Sequence, residues 1–291
     1  MRPTLLMSNL GGDEGIPPRD DSHYRIAWAI NPHMVPGSTD LDLARQQHRA
    51  LARALTQAGA HLIEAPFVRG AYDSVFTKDA ALLHARGQRC AALIARFRHV
   101  ERAPESRDRA AFLAARGAEI VHAESYLEGG DVAVTNNSVY LGYGFRSDCR
   151  SAQLLSAHFE RPVVTLRLVD ARLYHLDVAF VVLPDGTALV CREAFTAESL
   201  RALDRSPGIR EVVGVSVEDA LTMCLNLVPV GDTLVGGNVS RRVSAVIAAR
   251  GFRQHIVPLD QFHRAGGGAA CLVSAVHAPR TQQRADEAVA A

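Results

Sequence analysis

Cys271 closely follows three glycines, Gly266-Gly267-Gly268, and opens an apolar run. Glycines reach backbone conformations closed to other residues and let a loop fold close to a ligand, so this thiol is a candidate for covalent chemistry. A flexible loop leading into a buried strand is the plainer alternative. His175 and Asp177, in His175-Leu176-Asp177, begin another apolar run. On a strand, a spacing of two turns both side chains to one face. There an imidazole titrating near neutrality can move protons, and the carboxylate can share its ligand. Asp79, in Phe76-Thr77-Lys78-Asp79, and the pair Glu128 and Asp131, in Glu128-Gly129-Gly130-Asp131, are further acids in comparable settings.

Several carboxylates around one thiol would raise its pKa and suppress the thiolate, which suits peptide hydrolysis badly and a cationic substrate well. A planar guanidinium offers paired N–H donors that two carboxylates can grip, and its charge favours the thiolate once bound. The His-x-Asp spacing could also hold a metal, but the remaining histidines and carboxylates form no evident ligand set, so no metal is expected. No organic cofactor is expected either. The three-glycine run precedes a strand, the wrong order for a dinucleotide site.

These residues need elements that bring them together. One unit recurs, of roughly 45 to 50 residues: an apolar strand, a tight turn, a second strand, an amphipathic helix, a third strand. It is plainest as strand 131–134, turn Asn136-Asn137-Ser138, strand 139–143, helix 151–159 and strand 162–168. A second copy has strand 176–183, turn Pro184-Asp185-Gly186, strand 188–191, a helix near 198–204 and strand 212–215. A third has strand 224–230, turn Gly231-Asp232, strand 233–235, helix 241–251 and strand 255–259. The turn residues are those hairpins favour. The first half fits more loosely, with helix 40–58 capped by Ser38 or Thr39, strands 61–65, 75–83 and 90–94, and helix 108–116. The last strand, 270–277, has no helix of its own and pairs with 4–8 to close a ring of about five units. No linker divides the chain, so residues 1–280 form one α/β domain, with 281–291 a frayed tail.

Together the motifs Phe76-Thr77-Lys78-Asp79, Leu127-Glu128-Gly129-Gly130-Asp131, His175-Leu176-Asp177 and the glycine-rich segment ending in Cys271 resemble, in content and order, the guanidino-group modifying superfamily. This superfamily includes dimethylarginine dimethylaminohydrolases, arginine deiminases, arginine dihydrolases and amidinotransferases. The resemblance implies a five-bladed, pseudo-symmetric α/β propeller of ββαβ units. It implies that Cys271 attacks the guanidinium carbon, that His175 protonates the departing amine, and that an amidino thioether forms on sulfur. It also implies that Asp79 and Glu128 grip the guanidinium, that Asp177 holds substrate or His175, and that Phe76 walls the pocket. Asp131 orders the Gly129-Gly130 turn beside the substrate. Arg146, in Leu141-Gly142-Tyr143-Gly144-Phe145-Arg146-Ser147, resembles the arginine that binds a substrate carboxylate, and Asn31 lies in a segment like one at the pocket mouth. Lys78-Asp79 is closer to the basic-acid pair of arginine deiminases than to dimethylargininases, yet the extra helical domain common in deiminases is absent.

The formal net charge of +1 gives no bulk attraction to nucleic acid or anionic lipid. No apolar run approaches the roughly 20 residues of a membrane span, and no signal sequence is evident. The five scattered cysteines, without a CxxC pair, suit a reducing cytoplasm. The expected partner is therefore a small guanidino compound, with homo-oligomerisation left open. Hydrolysis, giving citrulline or ornithine, is the leading reaction. Amidino transfer to an amine, or non-catalytic binding of an arginine-like metabolite, are the alternatives.

Overall fold

The computed structural model describes residues 2–12, 21–87 and 89–279, so the expected tail at 281–291 lies outside the described residues. Strand β1 (Thr4–Ser8) leads to helix Leu41–Gln57 and back to β2 (His61–Ala65), parallel to β1. The helix is capped by Asp40, not Ser38 or Thr39: the Asp40 carboxylate accepts from Leu43 N at 3.0 Å, satisfying a donor the first turn cannot pair. It buries Ala44, Leu51, Ala54 and Leu55 along one face.

The next unit is β3 (Ala81–Arg86), β4 (Arg89–Ile94), helix Ala103–Ala114 and β5 (Glu119–His122). Its helix begins five residues before the expected 108, because Pro104 stands at the first turn, where a missing N–H costs nothing. The units β6 (Val132–Val134), β7 (Val139–Tyr143), β8 (Val163–Arg167); β9 (Phe180–Val182), β10 (Thr187–Val190), β11 (Glu211–Gly214); and β12 (Val228–Val230), β13 (Thr233–Gly236), β14 (Arg253–Ile256) repeat the plan. In each, the first two strands are an antiparallel hairpin, and the third returns parallel to the second after a helix. The last strand, β15 (Val273–His277), pairs antiparallel with β1, with Leu6 opposite Ser274. The final strand thus completes the first unit, and the ring of five blades closes as expected. Two of the blades join edge to edge through β15 and β3, giving one six-stranded sheet among three of three strands.

The middle strands β1, β10 and β13 are buried almost throughout, as strands covered on both faces must be. The largest apolar cluster packs Tyr140, Leu176, Phe180, Leu189, Leu234 and Ile247 from neighbouring blades.

Three expected strands are shorter than their apolar runs. Residues 77–80 and 176–179 each form one helical turn before β3 and β9, and of 224–230 only Val228–Val230 is strand. A short buried apolar run carries no period that separates strand from helical turn. These turns bend the chain over the ring's axis, and they pack closely. A Cβ on Gly129 would lie 1.9 Å from the Lys78 carbonyl oxygen. Gly129→Ala is therefore expected to lower stability by about 1–3 kcal/mol through overpacking, read as a fall in Tm. Gly214→Ala, whose nearest neighbour would be Arg192 Cδ at 3.9 Å, should leave Tm nearly unchanged.

Candidate active site

The residues singled out by their chemistry occupy equivalent places in successive blades. Asp79, Asn226 and Cys271 each stand two residues before the innermost strand of their blade, Asp131 one before and Asp177 three before. Ring closure brings these five places to one end of the axis.

At their centre Cys271 is 3 % exposed. Its Sγ donates toward Asp177 Oδ2 at 3.6 Å and accepts from Asn226 Nδ2 at 3.1 Å. Asn226 Oδ1 accepts from the backbone N–H of Ala270 (2.8 Å) and Cys271 (3.3 Å), which fixes the segment bearing the thiol. Burial, then Asp177 and Asp79, push the thiol well above its ordinary range, and Lys78 offsets part of this. The resting form is a neutral thiol. Cys191 and Cys224 lie in the hydrophobic core with thiols pushed up to about 11 and about 12 by burial.

His175 caps the turn 176–179 rather than beginning a strand, and it is buried, 2 % exposed. Its Nε2 lies 3.1 Å from Glu128 Oε2, so Glu128, not Asp177, holds the imidazole. Burial alone would depress its pKa, but Asp79, Asp131 and Glu128 outweigh this and keep it raised. Glu128 also accepts from Arg146 Nη1 at 3.0 Å and Arg98 N at 3.2 Å, and His175 and Arg146 hold its pKa far below the carboxylate range despite burial. Asp79 Oδ1 accepts from Gly130 N at 2.8 Å, and Oδ2 from Arg102 Nη1 at 2.7 Å. A Cβ on Gly130 would fall 2.5 Å from His175 Nδ1 and 2.7 Å from Asp79 Oδ1, so only glycine admits both side chains.

Asp79, Glu128 and His175 present three ligand atoms within 4.8 Å of one another. Arg102 already pairs with Asp79 and Arg146 with Glu128, and those cations would repel a divalent ion. Asp131 departs from its expected role. Its oxygens accept from Ser147 N (3.0 Å) and Leu176 N (3.1 Å), anchoring the residues beside Arg146 and His175 instead of ordering its own turn. Burial raises its pKa to about 6.

A narrow cavity of about 10 Å³, room for about one water, reaches the thiol between Phe76, Asp79, Arg146, Tyr174 and Asp73. Phe76 walls it as expected, and a Cβ on Gly267 would meet that ring at 2.4 Å. Ile30, Asn31 and Met34 cover it: Asn31 Nδ2 donates to Ala265 O at 2.9 Å, and Arg146 Nη2 to Ile30 O at 2.8 Å. Arg146 stacks over the Tyr174 ring at 4.7 Å. Sequence reasoning missed Asn226, Asp73, Arg102 and Tyr174. Asn226 was legible from its place before β12, matching that of Asp79 and Cys271. The others carry no local signal.

No family model matches the chain. It is 32% identical over 256 residues to an N(G),N(G)-dimethylarginine dimethylaminohydrolase of Mycobacterium tuberculosis, across 87% of this chain and 83% of that protein. The chain belongs to the dimethylarginine dimethylaminohydrolase family. As a member it is a cysteine-dependent hydrolase of guanidino carbon–nitrogen bonds, the reaction favoured under the superfamily resemblance. It is also 31% identical over 265 residues to the bifunctional arginine dihydrolase/ornithine cyclodeaminase ArgZ of Synechocystis, of whose length it spans 37%. The N-terminal domain of ArgZ, solved bound to substrate, superposes with a TM-score of 0.86 at 28% identity, covering 96% of this chain and 99% of that one. A dimethylarginine dimethylaminohydrolase adduct, 19% identical with a TM-score of 0.72, shares the fold.

Arg102 binds Glu105 at 2.7 and 2.9 Å as well as Asp79. Even so paired, Glu105 is raised to about 7 by burial. Arg102→Leu strands both acids and is expected to cost about 3–5 kcal/mol in chemical denaturation. A buried acid whose folded pKa exceeds its unfolded value destabilises at high pH and relaxes as pH falls through the folded value. The deficit should therefore shrink in acid and grow in alkali.

Proposed function

We propose that this protein hydrolyses the guanidino group of free arginine or a methylated arginine, releasing ammonia or an alkylamine and leaving citrulline. One observation carries the reading. Two buried carboxylate oxygens have no partner among the described residues: Oδ1 of Asp177, whose Oδ2 faces the thiol, and Oδ1 of Asp73, a residue of the cavity wall. Such atoms are costly unless a ligand fills them. A molecule with a guanidinium at one end and an α-ammonium at the other fills both. Arg146, freed from Ile30 when the covering segment lifts, would take the α-carboxylate bidentately. The site is too small as it stands, so entry requires that segment to move.

In this reading Asp177 Oδ1 grips the guanidinium, with Asp79 beside it, and the substrate charge lowers the thiol pKa. The thiol proton passes to solvent, and the Cys271 thiolate bonds to the guanidinium carbon. As the C–N bond breaks, His175, kept protonated by Glu128 and Asp79, gives its proton to the departing amine. The neutral imidazole then takes a proton from water, whose oxygen bonds to the same carbon; as the C–S bond breaks, the remaining hydroxyl proton returns to Cys271 Sγ and leaves the urea carbonyl of citrulline. Asn226 Nδ2 orients the sulfur. Burial of the thiol and the carboxylates around it support this order, in which substrate activates nucleophile. ArgZ, whose name carries arginine dihydrolase, suggests arginine, and the Mycobacterium relative suggests dimethylarginine. A reducing compartment such as the cytoplasm suits a chain whose cysteines are all free.

The test is mass spectrometry of protein quenched during turnover with arginine and methylated arginines, with products identified. The expected result is a substrate-dependent adduct on Cys271, absent in Cys271→Ser, with citrulline and ammonia or amine released. Ornithine in place of citrulline would place the reaction with ArgZ. No adduct and no product from any of these substrates would overturn the assignment.

A further inference from the structure

A second cavity, of about 150 Å³, runs along the ring's axis between the innermost strands of the blades, touching Leu82 of β3, Val132 of β6, Phe180 of β9, Val228 of β12 and Val273 of β15. Its walls are chiefly apolar. Two charged residues reach it, Lys78 and Asp177, and neither lines the cavity that opens on Phe76 and Arg146. Lys78 and Asp177 therefore form the partition between the axial channel and the thiol. Lys78 Nζ donates to Asp177 Oδ2 at 2.8 Å, its one hydrogen-bond partner among the described residues. The same oxygen faces Cys271 Sγ at 3.6 Å.

We propose that Lys78 is the positioning residue of this site: reaching Asp177 Oδ2 from the axial channel, it keeps that carboxylate ionised next to the thiol and leaves Oδ1 to the substrate cation. The inference rests on the reading of Asp177 as the guanidinium acceptor. Its reason is charge. During attack a thiolate and a carboxylate must coexist within one buried contact, and two adjacent anions away from water compete for a single proton. The charged and titratable groups facing the contact are Lys78 and Asp79 on one turn, Asp177 on the next, Tyr174, and His277 on β15. Of these Asp79 is tied to Arg102, and burial with nearby cations pulls His277 to about 3, leaving it neutral. Among the described residues Lys78 is the one cation bonded to Asp177. Although burial opposes its charge, Asp177 outweighs burial and holds the ammonium protonated. The ammonium also stands at an apolar channel wide enough for a small amine in its place.

The test uses the full-length protein. Lys78→Met is expected to gain, at neutral pH, an added infrared carbonyl stretch of a protonated carboxylic acid beyond whatever Glu105 and Asp131 give in wild type, and the added band should be lost again in Lys78→Met/Asp177→Asn. This readout needs no substrate. With arginine, or whichever guanidine forms the Cys271 adduct, kcat/KM should fall at least about tenfold, with KM rising as the grip weakens and the ascending limb of the pH profile moving up by about one unit or more. Lys78→Ala should recover part of the loss when ethylammonium is added, since that cation fits the vacated end of the channel. Where Lys78→Met fails to fold, Lys78→Arg keeps the charge: it should show no carbonyl band beyond that of wild type and retain most activity, and an added band there would overturn the proposal. So would a Lys78→Met protein with no added band and kcat/KM within about twofold of wild type. A protein that shows the band but turns over no guanidine would sink the arginine assignment and leave the role of Lys78 toward Asp177 intact.

Discussion

Asp177 Oδ2 stands between a thiol at 3.6 Å and an ammonium at 2.8 Å, and the rest of the site can be understood as keeping that contact tolerable. Burying an anion is expensive unless its oxygens are paired. The ring buries six acids around one sulfur: Asp73, Asp79, Glu105, Glu128, Asp131 and Asp177. Nearly every oxygen has a partner, supplied by Arg102, Arg146, Lys78, His175, Trp28 or backbone N–H groups. The two left over, on Asp73 and Asp177, are the oxygens that the proposed cationic substrate would pair. The same arrangement explains a nucleophile that is inert at rest, because no thiolate is stable in that field until positive charge arrives.

The ring is what makes so dense a cluster buildable. No single element could place these acids together, since neighbours on one helix or strand lie too close and share one environment. Five blades each contribute one turn at the same end, and the inner strands then carry the chain away along the axis. The turns lock against one another through glycines without space for a side chain, Gly129 on the Lys78 carbonyl and Gly130 on His175. Precision at the site is thus a property of packing between blades.

The sequence carried much of this. The recurring strand–turn–strand–helix–strand unit is legible because each unit repeats the same apolar pattern, and closure by the last strand follows from its missing helix. Cys271, His175, Glu128, Asp79 and Asp177 stand out because each sits at the edge of an apolar run. Who holds whom is not legible, because partners lie far apart in the chain. Glu128 meets His175 of the next blade across 47 residues, and within one blade Arg102 meets Asp79 across 23. The helical turns 77–80 and 176–179 were hidden inside apolar runs for the same reason that a few buried residues show no period. Arg146, expected to await a substrate carboxylate, instead bridges Glu128 and the covering segment, an arrangement set by the closed mouth of the site.

The central claim is that bound guanidinium charge creates the nucleophile. Thiolate absorbance in the ultraviolet, taken as wild type minus Cys271→Ser across pH with and without saturating methylguanidinium, tests it directly. The free protein should develop the Cys271 thiolate only in alkali, and the ligand should move that titration down toward neutrality. A thiolate already present at neutral pH in the free protein, or a titration that methylguanidinium leaves in place, would contradict it.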